Sequence, residues 1–234
     1  MTVIRYGKSS DGLLEIKAGF TSDNDKLRDD LLQLATAYLK QPRRLLCKIC
    51  ETTLPADADF TKHGIGYSFC TTCGQLNGQH EDSDEFAQLV YAEQGADSYV
   101  QTYTSENRTA YKNRVKRIYQ PKADFLNEVL VADGANTPRC ADLGAGSGYF
   151  VSALLNSGVD ALGYEVGKGQ VDLADAMIGK GRVRHILLDQ ITDLAGSVDA
   201  EVISMIGVLE HLQKPRAVLD AIKRNPSVRY LFIS

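Results

Sequence analysis

The feature that most constrains the fold of this chain is a run of alternate glycines. Gly144, Gly146 and Gly148 follow a short apolar segment, Arg139–Leu143, and precede another that begins at Tyr149. This order predicts a strand, a sharply turning loop and a helix, because glycines let the backbone turn tightly and approach a ligand closely. The N–H groups of the first helical turn can then bind a carboxylate or a phosphate. The G-x-G-x-G spacing is tighter than the G-x-G-x-x-G of nicotinamide and flavin sites.

Short strands alternate with helices from residue 139 onward. We predict strands at residues 139–143, 161–166, 184–188, 200–206 and 228–233, and helices at 149–157, 170–178 and 215–224. This alternation is typical of proteins whose open parallel sheet is covered by helices on both faces. The sequence therefore predicts an α/β fold with a Rossmann-like, mainly parallel sheet.

Acidic residues stand at the ends of two predicted strands. Glu165 ends the second strand, where a carboxylate can accept hydrogen bonds from two ribose hydroxyls. Asp189 ends the third strand and can accept a hydrogen bond from an exocyclic amine, such as that of adenine. Because the carboxyl ends of parallel strands share one edge of the sheet, where ligands bind in open α/β folds, we expect both acids to face one site.

Four of the five cysteines form two close pairs. Their spacing, C-x2-C-x19-C-x2-C, is within the range of tetrathiolate zinc sites. Two unrelated thiol pairs or a redox pair are the alternatives, but a thioredoxin-type pair begins a helix in a βαβ unit and neither pair does so. Four thiolates close the coordination shell, so the predicted zinc is structural. Its ligands would be Cys47, Cys50, Cys70 and Cys73.

The composition excludes several classes of protein. The 234 residues are 44% hydrophobic and 24% charged, as in ordinary globular proteins. The 30 acidic residues outnumber the 26 basic ones, which disfavours nucleic acid as a partner because such binding needs a basic surface. We find no apolar run near the ~20 residues of a membrane span and no apolar stretch of a signal peptide. We therefore expect a cytoplasmic protein with reduced thiols and no membrane partner.

Four segments in order resemble those of class I S-adenosylmethionine-dependent methyltransferases. They are Asp142–Tyr149, Tyr164–Val166, Leu187–Asp189 and Gly207–Leu212. The resemblance covers about residues 122–234 and implies methyl transfer with S-adenosylmethionine as the cofactor. It places Asp142, Gly144, Gly146 and Gly148 around the methionine part, Glu165 at the ribose, Val166 beside the adenine, Asp189 at the adenine amine and Ile206 near the methionine end. Tyr149, which opens the following helix, is a further candidate for cofactor binding.

A two-pair zinc module ahead of a methyltransferase domain is similar to bacterial sugar C-methyltransferases, which act on nucleotide-linked deoxysugars. The segment Cys70–Gln75 fits the second knuckle of that family. The resemblance implies a small-molecule acceptor: a sugar, a nucleotide-linked sugar, or a glycan or secondary-metabolite precursor. The sequence departs from the family because it lacks the further C-terminal domain with much of the active-site chemistry. It also ends after five of the seven strands of the resembled fold, so we expect a fragment of a longer protein. The alternative is a partner that covers the open edge of the sheet.

Glu210 and His211 follow the fourth predicted strand and are the candidate catalytic residues. An imidazole, with an ordinary pKa near 6.5, suits a general base. The alternative is that these side chains only pack against the following helix. Two other functions stay open: an RNA or protein methyltransferase that uses the zinc module for recognition, and a non-catalytic protein that binds the cofactor.

Three regions are expected along the chain. Residues 1–82 would form an N-terminal segment that holds a hairpin within residues 2–20 and the zinc-binding module. Residues 83–134 would form a helical connector, and residues 135–234 an incomplete S-adenosylmethionine-binding domain of Rossmann type.

Overall fold

The structure is a computed structural model that describes residues 24–90, 107–135 and 138–234. The predicted hairpin within residues 2–20 lies outside this part of the chain. The strands are β1 (Phe60–Lys62), β2 (Ile65–Phe69), β3 (Leu76–Gly78), β4 (Arg139–Leu143), β5 (Asp160–Glu165), β6 (Val183–His185), β7 (Val202–Met205) and β8 (Tyr230–Ile233). The helices are α1 (Asn24–Tyr38), α2 (Asp84–Gln88), α3 (Arg108–Arg114), α4 (Gln120–Ala132), α5 (Tyr149–Asn156), α6 (Lys168–Ile178), α7 (Ile191–Ser197) and α8 (Pro215–Arg224).

The larger sheet contains five parallel strands in the order β6-β5-β4-β7-β8. This confirms the predicted α/β fold with its Rossmann-like parallel sheet. The chain moves outward from β4 to β6 and then crosses back to place β7 on the other side of β4. Ligands bind in open α/β sheets where the strand order reverses in this way, at the carboxyl ends of the strands. The crevice between β4 and β7 is therefore the expected binding position.

Both faces of the larger sheet are buried because its central strands are apolar on both sides. Cys140 and Val202 belong to a cluster with residues of α3, α4, α5 and α6. Ala141 and Ile203, the next residues along the same strands, belong to a second cluster with α7 and α8. Alternate residues of a strand point to opposite faces, so strands of this kind need helices on both sides. Helix α7 was not predicted from the sequence, since Gly196 within it weakens the helical pattern.

The helices before β4 form a continuous segment. The sequence predicts two helices separated at Pro121, at about residues 105–119 and at 122–131, but α3 and α4 are joined by a π-helical turn, Val115–Tyr119. Proline lacks an N–H donor and crowds the preceding turn, so a locally wider turn lets the helix continue. Residues of both helices and the turn, Tyr111, Val115, Ala123, Leu126 and Leu130, are buried in the same cluster as one face of the sheet. The division at residues 82 and 134 stays a prediction.

The cysteine-rich region contains a small antiparallel sheet in the order β1-β2-β3. The sequence predicts a zinc module rich in loops at residues 43–80, because strands of three to five residues carry little periodic signal. Arg44 is buried beside this sheet and forms ion pairs with Glu81 and Asp82, each at 2.9 Å. Across the described residues, no helix is both long and apolar enough to cross a membrane.

Candidate functional site

The glycine loop leaves β4 at the centre of the sheet and turns into α5. Gly144 and Gly148 have φ values of 71° and 74°, in the left-handed region that favours glycine. Space is also lacking, since a Cβ on Gly144 would lie 2.5 Å from Cγ2 of Val208 and one on Gly148 would lie 2.8 Å from Cδ1 of Ile178. The loop is anchored to β5 because the N–H groups of Gly144 and Ala145 both donate to the Tyr164 carbonyl. The residues after β7 thus contact the glycine loop directly, through Val208.

Glu165 closes the loop from the neighbouring strand. It ends β5, is buried, and accepts hydrogen bonds of 2.7 Å from the N–H groups of Gly146 and Gly167, one on each carboxylate oxygen. A carboxylate has about four lone-pair positions, so each oxygen keeps capacity for a second donor. The sequence-predicted loop and acid are therefore brought together, and the two acceptor oxygens of Glu165 fit a ribose with two adjacent hydroxyls.

Asp142 lies beneath the loop and is only 2% exposed. Its Oδ1 atom accepts a hydrogen bond of 2.6 Å from the Ser204 hydroxyl, which stands opposite it in the register of β4 and β7. Burial raises the pKa of Asp142 to about 7, the Ser204 hydrogen bond opposes this rise, and the nearby charge of Glu165 adds to it. Sequence reasoning missed Ser204, although a polar residue inside the apolar run of β7 was a signal of such a partner.

Tyr149 begins α5, and its ring packs against two other aromatic rings. The ring is buried in a stack with Tyr111, at 4.6 Å between centroids, and with Tyr119, at 5.3 Å. The Tyr111 hydroxyl donates to the Ser147 carbonyl at 2.9 Å and so holds the loop from the preceding helix. Tyr111 is a second residue that sequence reasoning missed, since nothing in its local pattern separates it from an ordinary core aromatic. A contact of Tyr149 with a cofactor stays a prediction.

The other predicted cofactor positions are spread along the same edge. Val166 follows β5 and is half-buried, and its carbonyl lies 3.1 Å from Nε2 of His185 at the end of β6. Asp189 was expected at a strand end, but β6 ends at His185 and Asp189 is exposed in a 3-10 turn, Leu188–Gln190. Ile206 directly follows β7 and is half-buried. The roles of these side chains at a cofactor stay predictions.

Glu210 and His211 lie in a 3-10 turn, Leu209–His211, just beyond β7. Their side chains are 60% and 51% exposed, and Oε1 of Glu210 is 3.9 Å from Nε2 of His211. The turn borders the crevice where the strand order reverses, so both side chains are accessible to a molecule bound there. Neither side chain is buried in the protein core. Their catalytic role stays a prediction.

The four paired cysteines converge on one point through two knuckles with the same backbone hydrogen bonds. In the first, the Cys47 N–H donates to the Thr52 carbonyl and the Glu51 N–H donates to the Cys47 carbonyl. In the second knuckle, the Cys70 N–H donates to the Gln75 carbonyl and the Gly74 N–H donates to the Cys70 carbonyl. Glu51 and Gly74 occupy the same knuckle position and both have positive φ, 59° and 74°.

The sulfur geometry fits a tetrahedral metal ion. The Sγ atoms of the four cysteines all lie within 4.8 Å of one another, with Cys47–Cys73 at 3.7 Å and Cys50–Cys70 at 3.4 Å. A tetrahedron with Zn–S bonds of ~2.3 Å has sulfur–sulfur edges of about 3.8 Å. The Thr52 side chain and backbone lower the pKa of Cys50 to about 6, toward the thiolate that binds metals. The four cysteines thus form a candidate zinc site.

A cleft of about 810 Å³ separates the cysteine module from the carboxyl edge of the larger sheet. Leu209 and Glu210 line it from the turn after β7, and Tyr67 and Leu76 line it from the small sheet. Since Val208 contacts the glycine loop, the segment 208–210 stands between the loop and the cleft. The cleft is therefore a large concave surface next to the predicted cofactor position.

The comparisons with known proteins identify the family. Residues 107–234, more than half of the chain, match the family described as "Methyltransferase domain". Magnesium protoporphyrin IX methyltransferase from Synechocystis PCC 6803, solved with bound SAM, is 19% identical, with 63% of this chain and 74% of that chain covered and a TM-score of 0.45. The plantazolicin methyltransferase BpumL, solved with SAH, is 14% identical, with 64% and 60% covered and a TM-score of 0.42. No protein of curated function matches the sequence significantly.

The family match begins just before α3 and runs through β8, so it includes the glycine loop, Glu165, Asp142 and the turn after β7. The match thus covers every element that forms the crevice. We conclude that this chain belongs to the methyltransferase domain family and is an S-adenosylmethionine-dependent methyltransferase.

Proposed function

We propose that the protein transfers the methyl group of S-adenosylmethionine to a small molecule, a sugar, a nucleotide-linked sugar or a related glycan or secondary-metabolite precursor. The observation that carries the proposal is the position of the cleft, which opens between the cysteine module and the turn that borders the glycine loop. A small acceptor in this cleft would lie next to the methionine end of a cofactor held at the loop. The resemblance to sugar C-methyltransferases indicates the acceptor class.

The proposed cofactor contacts come from residues at the carboxyl ends of neighbouring strands, each at a different part of the cofactor. The Glu165 carboxylate would accept from the ribose hydroxyls while it continues to hold the Gly146 and Gly167 N–H groups. Asp142 would face the positively charged methionine part, and its hydrogen bond from Ser204 fixes its carboxylate. The remaining contacts would come from Gly144, Gly146 and Gly148 at the methionine part, Val166 and Asp189 at the adenine, and Ile206 near the methionine end. Tyr149, at the start of α5, is a further proposed contact.

The chemistry requires an acceptor lone pair in line behind the methyl group, and much of the rate gain comes from holding this geometry. S-adenosylmethionine supplies an electrophilic methyl group when it is bound. The chain's own contribution is to orient both molecules and to take up the acceptor proton. Glu210 and His211 are the proposed bases, because both side chains are exposed in the turn after β7 and Glu210 lines the cleft. Cys47, Cys50, Cys70 and Cys73 would hold a structural zinc ion that takes no part in the step.

The cofactor part is tested by calorimetric titration with S-adenosylmethionine on zinc-assayed protein. Glu165→Ala should weaken cofactor binding by about tenfold or more. The variant lacks the two carboxylate oxygens that would bind the ribose hydroxyls and that accept from the Gly146 and Gly167 N–H groups. Glu201→Gln is the matched control, because Glu201 caps the N–H of Arg139 at the opposite end of β4. No binding by the folded wild-type chain would contradict the proposed cofactor site.

The acceptor class is tested with S-adenosylmethionine labelled in the methyl group. The wild-type chain is incubated with nucleotide-linked sugars, with total RNA and with protein extract in separate reactions. We expect label in the small-molecule fraction, reduced in Glu210→Gln and His211→Asn. Label found only in RNA or only in protein would overturn the small-molecule acceptor and leave the cofactor site intact.

A further inference from the structure

One side chain joins the cysteine module to the turn after β7. Lys48 lies inside the first knuckle, between Cys47 and Cys50, and its side chain is only 11% exposed. Its Nζ atom is 3.1 Å from Oδ2 of Asp82 and donates to the Glu210 carbonyl at 3.3 Å. This contact links positions 162 residues apart in the sequence.

The position of Lys48 depends on the metal-binding end of the module. Its backbone N–H donates to Oδ1 of Asn77 at 3.1 Å, and Nδ2 of the same buried Asn77 contacts Sγ of Cys47 at 3.6 Å. A polar group bound to a metal ligand fixes the orientation of that ligand. In this module the same asparagine also fixes the residue that reaches across the cleft.

The ion pair with Asp82 does not by itself explain why the Lys48 side chain is only 11% exposed. Arg44 already contacts Asp82 at 2.9 Å and is itself nearly inaccessible. Asp82 thus has a cationic partner without Lys48, whereas the Glu210 carbonyl receives its hydrogen bond from the lysine. An ammonium that is largely covered by protein needs its donors satisfied, and this carbonyl accepts from one of them.

The turn that receives this bond has few internal constraints. It is a single 3-10 turn, and its amides at His211 and Leu212 donate to Val208 and Leu209 carbonyls at 2.9 and 3.4 Å. Short 3-10 segments have poor hydrogen-bond geometry and are easily displaced. An external donor on the Glu210 carbonyl therefore has a large influence on where the turn lies.

We propose that Lys48 is a positioning residue that couples the cysteine module to the turn carrying Glu210 and His211. Zinc binding by the four cysteines orders the first knuckle and so fixes the position of Lys48. The hydrogen bond from Lys48 to the Glu210 carbonyl then restrains the turn at the edge of the crevice. The consequence for methyl transfer rests on the proposed function, but the coupling itself is a property of the chain without cofactor or acceptor.

The test is hydrogen exchange at the amides of His211 and Leu212 in the full chain, with zinc content assayed in parallel. Lys48→Met keeps the length of the side chain and removes its donors, so exchange at both amides should rise about fivefold to tenfold. Lys48→Arg should restore slow exchange, and Lys40→Met, at an exposed lysine just after α1, should leave it unchanged. Each variant should retain about one zinc per chain.

Metal removal provides the second arm. A chelator should raise exchange at His211 and Leu212 in the wild-type chain, but add little in Lys48→Met, because the link is already absent. The assignment is overturned if Lys48→Met exchanges as the wild type does, if it loses its zinc, or if the chelator effect is the same in both proteins. None of these readouts depends on methyl transfer, so failure of the coupling and failure of the proposed function are separable.

Discussion

At the scale of single residues, the buried carboxyl group of Asp142 controls a pH dependence. Its folded pKa of about 7 lies above the ordinary value of 3.8, so between these values the folded chain binds a proton that the unfolded chain has released. Stability therefore falls as the pH rises through this window, by up to about 1.4 kcal/mol per pH unit. Above pH 7 the contribution is constant.

We expect Asp142→Asn to remove this pH dependence because its amide carries no charge. The free energy of unfolding is measured in urea at pH 5 and at pH 8 for both proteins. The stability of the variant relative to the wild type should be greater at pH 8 than at pH 5. Asp199→Asn is the control, since the Asp199 side chain is 70% exposed beside Arg139. Parallel pH profiles for wild type and Asp142→Asn would contradict Asp142 as the origin of the dependence.

The two knuckles allow a second test at this scale, on backbone strain. Glu51 has a φ of 59° at the position that Gly74 occupies in the other knuckle. Glu51→Gly should stabilise the zinc-loaded module by about 1 kcal/mol, and Gly74→Ala should destabilise it by a similar amount. A Cβ on Gly74 would meet no atom within 4 Å, so that loss would be purely conformational. Urea unfolding measures both, and stabilities equal to that of the wild type would show that neither backbone is strained.

Single residues also show where sequence reasoning reaches its limit. Glu165 and the glycines could be placed together because they belong to one local strand–loop–helix pattern. Ser204 could not be paired with Asp142, because their contact depends on the register of β4 against β7 across 62 positions. Tyr111 was missed for the same reason, since its bond to Ser147 depends on how α3 packs against the loop.

At the scale of elements, the glycine loop is held by two separable constraints, backbone conformation and lack of space. Gly134 has a φ of 74°, close to that of Gly144, but a Cβ there would meet no atom within 4 Å. Gly134→Ala should therefore cost only the conformational term, about 1–2 kcal/mol. Gly144→Ala should cost more, because its Cβ meets Val208, and should also weaken cofactor binding.

The clash can be relieved without changing the backbone. Val208→Ala in the Gly144→Ala background removes the two methyl groups nearest to the new Cβ. The double variant should recover the excess loss and reach the level of Gly134→Ala in urea unfolding. If it is no more stable than Gly144→Ala, the contact between the glycine loop and Val208 is not the cause.

Element boundaries were predicted best where the pattern is strongly amphipathic or fully apolar. Strand β4 and helix α8 lie where the sequence places them. Strand β6 is shorter than expected, so Asp189 moves from a strand end into a 3-10 turn. Only three residues of β6 pair with β5, and the apolar residues beyond them lead into the next turn. The apolar run alone could not show where the pairing stops.

At the scale of the whole molecule, the cysteine module and the larger sheet have separate cores. In the described chain, both buried clusters of the larger sheet draw their members from residue 111 onward. The module relies instead on the predicted metal and on a few contacts around Tyr38, including its ring against Phe86 at 5.4 Å. The sequence predicted both parts but not the cleft between them, which depends on long-range contacts such as that of Lys48.

We therefore expect metal removal to unfold the module and leave the larger sheet folded. Thermal unfolding is monitored by circular dichroism. In the chelated chain the signal of the cysteine module should be lost at low temperature, and the later transition of the larger sheet should be unchanged. Cys47→Ser should behave as the chelated chain does, whereas Cys140→Ser, at the cysteine outside the cluster, should retain its zinc. A single transition that shifts as a whole would contradict separate cores.

The strand order has a consequence for the time course of folding. Strands β4, β5 and β6 can pair as they emerge, but the crevice needs β7, which follows β4 by about sixty residues and must insert beside it. Contacts of this sequence separation form late because closing the intervening loop costs entropy. Ser204 and Val208, which complete the floor and wall of the glycine loop, arrive with that strand. A growing chain thus contains the glycine loop well before the crevice beside that loop is complete, and a cofactor bound at this crevice would stabilise only the finished sheet.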